Sequence, residues 1–315
     1  MPTMATLADT ELDVYPLCLG GNVFSWTADE PTSFDILDAY AAAGGNFIDT
    51  ADAYNGWLPD YEGGESETII GNWMASRGNR DQMVIATKVG SLASRKGLYA
   101  DNIALAAEDS LRRLQTDHID LYYSHQDDRE TPQVETLGAY DILVKAGKVR
   151  YLGASNFDSA RLREALNISE ANGFAKYRVL QNEYNLMKRT DYEGGVRQVV
   201  AEAGMAQVPY FGLASGFLTG KYRPGADRID SPRARGAVKM LDDRGLAVLA
   251  ALDAVAANHE VPLSAVALAW LLAQPTVQAP IASARNLEQL AELLPMADLT
   301  LSEAELTELT NASEL

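Results

Sequence analysis

Short apolar runs bounded by glycine and small polar residues alternate along this chain with longer segments whose apolar positions recur every three to four residues. The first kind is too short for helices and reads as buried strand; the second reads as amphipathic helix. After an irregular start, residues 14–20 form the first strand, ending in Gly20-Gly21. Residues 32–43 form the first helix, with Phe34, Ile36, Leu37, Tyr40 and Ala41 toward one side. A second strand at Asn46-Phe47-Ile48 leads, after a long loop, into a helix at 65–76 with Ile69, Ile70 and Trp73 inward. Further strands are expected at 83–88, 119–124, 151–154, 178–181, 206–210 and 277–281, with helices at 100–114, 134–146, 159–172, about 194–203, 245–258, 263–273 and 286–294. Residues 211–245 are rich in Gly, Pro and Arg and read as a loop too long to be idle in a compact domain.

Eight strand–helix alternations without a break in composition predict an α/β protein, a single (β/α)8 TIM barrel over residues 1–315, with a C-terminal tail helix at 302–311. No Gly-x-Gly-x-x-Gly opens the first helix, so an open dinucleotide-binding sheet has no support. The run 216–222 has the wrong glycine spacing for a phosphate loop and lacks Ser or Thr after its lysine.

Composition narrows the setting. With 47% hydrophobic and 22% charged residues the chain can bury a large core. A formal net charge of −18 sets up a field that repels phosphate, which argues against nucleic acid and anionic membrane as partners and requires a local basic island for any bound polyanion. Cys18 is the only cysteine, so neither an intrachain disulfide nor a cysteine metal cluster can form; no metal is expected, and a reducing, cytoplasmic compartment fits. Asp9, Glu11 and Asp13 stand where a signal peptide would carry basic and apolar residues, and the apolar stretch 266–273 is far below the ~20 residues of a membrane span.

The expected strand ends set Asp49, Lys88 and His125 at the tips of strands two, three and four, with Tyr54 in the loop just beyond the first of them. In a barrel those tips share the mouth from which catalytic groups come. Taken singly, a strand-end lysine is usually a solvated charge, a histidine a hydrogen-bonded structural residue, and an aspartate a turn former or helix cap. Together they are complementary. Tyrosine titrates near 10 and works as a proton donor at neutral pH when that value falls by roughly 2–3 units. A neighbouring ammonium supplies the fall, and a carboxylate holds the ammonium charged and in place. An imidazole nitrogen can orient a carbonyl oxygen. These are the parts that carbonyl reduction asks of a protein, and since none can supply hydride, the hydride must come from elsewhere.

The run Gly44-Gly45-Asn46-Phe47-Ile48-Asp49-Thr50-Ala51-Asp52-Ala53-Tyr54 resembles the signature of the aldo-keto reductase family, and segments 85–89, 121–125 and 151–156 resemble the same family in the right order. The likeness extends from about Val14 to the C-terminus. It implies that Tyr54 is the general acid, Lys88 lowers its pKa, Asp49 holds Lys88 and His125 positions the substrate. It implies that Ser155, Asn156 and Gln181 meet the nicotinamide carboxamide, that Tyr210 stacks on its ring, and that Gly21, Asn22 and Asp49 border the same space. Phe211, Gly212, Leu213, Ala214, Gly216 and Lys221 then belong to a loop over the pyrophosphate, with Arg223, Arg233 and Arg235 as the basic island. Ser283, Arg285, Gln289 and Glu292 grip the adenosine end, where an arginine at a helix N-terminus favours a 2′-phosphate and hence NADPH over NADH. The chain departs from the family pattern at Gln126, where a proline often follows the histidine, at Ser283, where Gly is frequent, and at Leu293, where Asn is.

The expected function is therefore that of an NADPH-dependent reductase interconverting a small-molecule aldehyde or ketone and its alcohol. A nicotinamide-binding regulatory subunit on the same barrel is the alternative. A barrel hydrolase or aldolase using Lys88 as a Schiff base is disfavoured, because Asp49 would keep the lysine charged. Asn22, Phe24, Trp26 and Trp57 either line the carbonyl pocket or shield the rim. No heptad seam marks an oligomer interface.

Overall fold

A computed structural model of the chain describes residues 4–225 and 234–314. Two short strands, β1 (Ala5–Thr6) and β2 (Asp13–Val14), pair antiparallel at the start. Eight strands follow: β3 (Cys18–Gly20), β4 (Phe47–Asp49), β5 (Val84–Val89), β6 (Ile119–Ser124), β7 (Val149–Ser155), β8 (Tyr177–Gln181), β9 (Ala206–Gln207) and β10 (Ile281–Ala282). All are parallel to their neighbours, in the order β10-β3-β4-β5-β6-β7-β8-β9. The ring closes beyond β9, where the Gln207 N–H donates to the Thr276 carbonyl (2.7 Å), the Gln278 N–H to the Gln207 carbonyl (3.1 Å) and the Ile281 N–H to the Pro209 carbonyl (2.9 Å). The architecture is the (β/α)8 barrel.

Helices α1 (Glu30–Ala42), α2 (Glu65–Arg77), α3 (Ala100–Leu114), α4 (Gln133–Lys145) and α5 (Ser159–Asn172) alternate with the first strands. Then come α6 (Thr190–Glu193), α7 (Gly195–Glu202), α8 (Ala234–Val238), α9 (Asp243–His259), α10 (Leu263–Leu272), α11 (Leu287–Leu293) and the tail helix α12 (Glu303–Ala312). Local chemistry sets several of these boundaries. Asp29 caps α1 by accepting from the Thr32 N–H, and Ser302 with Glu305 forms a capping box at α12.

Three expectations are corrected. Residues 14–20 do not form one strand: Val14 belongs to the N-terminal hairpin and the barrel strand starts at Cys18, because Pro16 between them offers no N–H to a ladder. The expected strands at 206–210 and 277–281 contract to the dipeptides β9 and β10, with Pro209 and Pro280 interrupting the hydrogen bonding. The segment 211–245 is not all loop, since it contains a 3-10 segment (Ala214–Thr219) and α8 and runs into α9.

The core has two parts. One fills the space between strands and outer helices; the other, built from Cys18, Phe47, Ala86, Leu121, Tyr123 and Val179 among others, fills the barrel, and Leu7, Leu12 and Val14 of the hairpin close its N-terminal end. The apolar stretch 266–273 lies mostly in α10, with Val266, Leu268 and Trp270 buried; among the described residues no single helix is long and apolar enough to cross a membrane.

Candidate active site

Side chains alternate across a strand, so the residue two beyond a barrel-interior position also points inward, one layer higher. Phe47 is followed by Asp49, Ala86 by Lys88, Tyr123 by His125, Val179 by Gln181 and Val208 by Tyr210, and each lower member belongs to the barrel-interior core. The layer above the apolar plug is thus a ring of polar groups at the C-terminal mouth.

At its centre the Lys88 ammonium donates to Asp49 Oδ2 (2.7 Å), to the Tyr54 phenol oxygen (2.8 Å) and to the Thr50 carbonyl (2.6 Å), which accounts for all three of its donors. The Tyr54 hydroxyl donates to Asp49 Oδ2 at 3.0 Å, and Gln181 Nε2 to Asp49 Oδ1 at 2.8 Å. Lys88 and Asp49 are each about 1% exposed. Burial lowers the pKa of Lys88 from the usual lysine value, and the Asp49 carboxylate opposes the fall. Tyr54 is held by its loop: the Gly64 N–H donates to its carbonyl, and Asn55 anchors the neighbouring turn through the Phe24 carbonyl (2.7 Å).

The imidazole of His125 stands edge-on to the Tyr54 ring with centroids 6.0 Å apart. Burial, and secondly the Lys88 charge, push its pKa down to about 3, so the ring is neutral at physiological pH. Its Nδ1 is buried without a hydrogen-bond partner among the described residues.

A cavity of about 580 Å³ is lined by Tyr54 and His125, by Asn156 and Tyr210, and by Ser215, Lys221 and Arg285. Ser155 Oγ donates to the Gln181 carbonyl (2.7 Å), Asn156 Nδ2 to the His125 carbonyl (2.9 Å) and the Tyr210 hydroxyl to Asn156 Oδ1 (2.7 Å). These groups, expected to meet a carboxamide, are bonded to one another, and the Gln181 amide nitrogen is turned to Asp49. Farther along, Ala214, Ser215 and Gly216 are consecutive left-handed residues, with φ of 47°, 59° and 87°. A side chain on Gly216 would stand 3.2 Å from Lys221 Nζ, so this glycine leaves room for the lysine to cross the groove. At α11, Asn286 caps the helix, Gln289 Oε1 accepts from the Arg285 N–H (3.1 Å), and Ser283 Oγ donates to Asn22 Oδ1 (2.7 Å).

Asn22, Phe211, Gly212, Leu213, Ser283, Gln289 and Glu292 also line the cavity. Lys88, Gly21 and Ala214 do not: the lysine lies behind Asp49 and Tyr54, and the other two are buried in the wall. Arg223 turns away, pairing with Asp253 at 2.7 Å. Arg233 and the side chain of Arg235 lie outside the described residues. Phe24 is fully buried rather than in the wall, whereas Trp26 lines the cavity and the exposed Trp57 packs edge-on to both Trp26 (5.8 Å) and Tyr54 (6.2 Å). The Thr50 carbonyl as third acceptor of Lys88 was not foreseeable, because a backbone acceptor leaves no mark in side-chain identity.

Comparison with known proteins bears on this geometry. The model of the aldo/keto reductase family matches residues 16–314. The uncharacterized oxidoreductase YrpG of Bacillus subtilis is 36% identical, covering 94% of this chain and 91% of its own. The aryl-alcohol dehydrogenase GME11368 of Pestalotiopsis microspora is 33% identical, covering 94% of this chain and 78% of its own. Norsolorinic acid reductase B of Aspergillus parasiticus is also 33% identical, over 96% of this chain and 81% of its own.

Proposed function

The chain belongs to the aldo/keto reductase family, an oxidoreductase family whose members use NAD(P)H, and on that premise we propose that it reduces an aldehyde or ketone carbonyl with NADPH, Tyr54 acting as the general acid. One observation carries the reading: a single buried ammonium, Lys88, hydrogen-bonds both a carboxylate and a phenol on the floor of the cavity, at 2.7 and 2.8 Å.

NADPH supplies the hydride when bound. The groove fits such a group by its donor set, with Lys221, Ser215 and Arg285 in its lining, and by the room that Gly216 leaves beside Lys221. Near the reacting carbon, Tyr54 turns its hydroxyl from Asp49 to the substrate oxygen and gives up the proton. Lys88 stabilises the negative charge that grows on the phenol oxygen, and Asp49 with the Thr50 carbonyl keeps the ammonium from following the proton. His125, neutral and beside Tyr54, is suited to orient the carbonyl by a neutral hydrogen bond rather than to protonate it. Arg285 would meet a ribose 2′-phosphate, which is the ground for preferring NADPH. The single, buried cysteine supports a cytoplasmic setting.

The test is NADPH consumption with a panel of carbonyl compounds. The panel should be weighted to aryl aldehydes and ketones, because Trp57 packs beside Tyr54 with Trp26 against it, and one relative is named an aryl-alcohol dehydrogenase. Tyr54→Phe is expected to lower turnover ~10²–10⁴-fold without changing NADPH affinity. A variant as fast as the parent refutes the acid role. Tight NADPH binding with no turnover across the panel would favour a regulatory subunit instead.

A further inference from the structure

Asp52 stands three residues after Asp49 and two before Tyr54, and the proton transfer proposed above makes no use of it. Its backbone N–H donates to the Lys88 carbonyl at 3.2 Å, so it fastens the start of the Tyr54 segment to β5. A side chain on Gly63 would stand 2.7 Å from the Asp52 carbonyl oxygen, so the far end of the same segment packs against it as well. The Asp52 side chain is buried, yet neither carboxyl oxygen has a hydrogen-bond partner among the described residues. A buried polar group left in that condition calls for an explanation.

The charges around it supply one. Glu67 of α2, Arg113 of α3, Arg95 of the segment after β5 and Lys88 of β5 all act on Asp52, and Tyr122 of β6 lies within its field. Every cation among them is already engaged. Arg113 bonds Glu67 at 2.6 Å, Arg95 bonds Asp109 at 2.8 Å and Lys88 bonds Asp49 at 2.7 Å. Glu67 is completed by the Thr87 hydroxyl at 2.5 Å. Asp52 is left as the carboxyl without a hydrogen-bonded cation among the described residues, within the field of the Glu67 carboxylate.

We propose that Asp52 is a positioning residue: in its protonated form it seats residues 51–64, and with them Tyr54, against β5 and α2, and its ionisation loosens that seat. The proposal rests on Tyr54 as the proton donor for its catalytic meaning, but not for its structural one. Burial first, and the Glu67 charge second, push the Asp52 carboxyl up to about 7, with Arg113 and Arg95 opposing. The folded value lies above the ordinary 3.8, so the folded chain holds this proton more tightly than the unfolded one. The resulting stabilisation is complete below about pH 4 and drains away as pH rises through about 7.

The experiment is hydrogen–deuterium exchange of peptides spanning 51–64 in the ligand-free protein from pH 5.5 to 8.5, corrected for intrinsic rates, in wild type and Asp52→Asn. Wild-type protection should fall several-fold with a midpoint near 7, and the Asn variant should stay flat. The same pH dependence in both, or none in either, overturns the proposal. If Asp52→Asn does not fold, Glu67→Gln serves: it removes the like charge and releases Arg113 to Asp52, so the midpoint should move about one unit or more toward acid. An unmoved midpoint overturns the proposal equally. Repeating the exchange on Tyr54→Phe separates the two readings, since the transition should persist there whether or not Tyr54 is the acid. In kcat/KM, a limb near pH 7 should be lost in Asp52→Asn, with any limb belonging to Tyr54 retained.

Discussion

At the Tyr54 end of the groove a lysine and an aspartate, each about 1% exposed, bond to one another, to the phenol, to Gln181 and to a backbone carbonyl. At the Arg285 end the polar side chains stand on backbone turns and a helix cap, and Arg285 makes no ion pair with the described residues. The first arrangement is complete without any ligand, because two buried charges tolerate burial only when matched. The second contains no such matched pair of buried charges among the described residues. On the function proposed above, the chemistry is built into the barrel's own stability, whereas cofactor grip is carried by groups the fold does not need, and the two ends should respond differently to substitution.

The largest contrast lies in stability. Lys88→Met leaves the Asp49 carboxylate buried without its cation and should lower the free energy of unfolding by about 3–5 kcal/mol. Arg285→Met removes a partly exposed cation and should change it by less than about 0.5 kcal/mol. Urea unfolding of both variants measures the difference. Adding Asp49→Asn to Lys88→Met should recover part of the loss, since the stranded charge is then gone. Equal destabilisation at the two ends would mean that the tetrad is no more a part of the fold than the groove's far wall.

Binding should reverse the ranking. Arg285→Ala removes a charge-assisted contact worth roughly 1.5–3 kcal/mol, so NADPH affinity should weaken about 10–100-fold while NADH affinity and kcat stay near the parent values. Fluorescence titration with both nucleotides decides it. Equal loss for both would retire the 2′-phosphate assignment.

The same contrast governs how much could be read from sequence. The Tyr54 end sits on strands with uninterrupted alternation: once Ala86 is interior, Lys88 must be, and Tyr123 carries His125 with it. Strand 119–124 and helices 100–114 and 159–172 fall where the periodicity put them. The hairpin at 5–6 and 13–14 was not legible, because two-residue strands have no period. The contraction of β9 and β10 depends on bonds across the ring that two prolines forgo. The turning of Gln181 to Asp49, 132 residues away, and of Arg223 to Asp253 are choices between partners that one-dimensional pattern does not rank.

The smallest expected effect tests whether the groove's turn is shaped for the cofactor or only for the chain. Gly216 has φ of +87° and Gly78, at the C-terminal cap of α2, has +62°, so alanine at either position meets the same left-handed penalty of about 1 kcal/mol. Their surroundings differ. A new Cβ at Gly78 meets nothing within 4 Å, whereas one at Gly216 stands 3.2 and 3.3 Å from the end of the Lys221 side chain and pushes a flexible cation out of the groove. Gly78→Ala and Gly216→Ala should therefore lose similar stability, but only Gly216→Ala should weaken NADPH binding, by a few-fold and without effect on the Tyr54 end. If the two variants bind NADPH alike, the left-handed run at 214–216 serves the fold alone and Lys221 has no share in holding the phosphates.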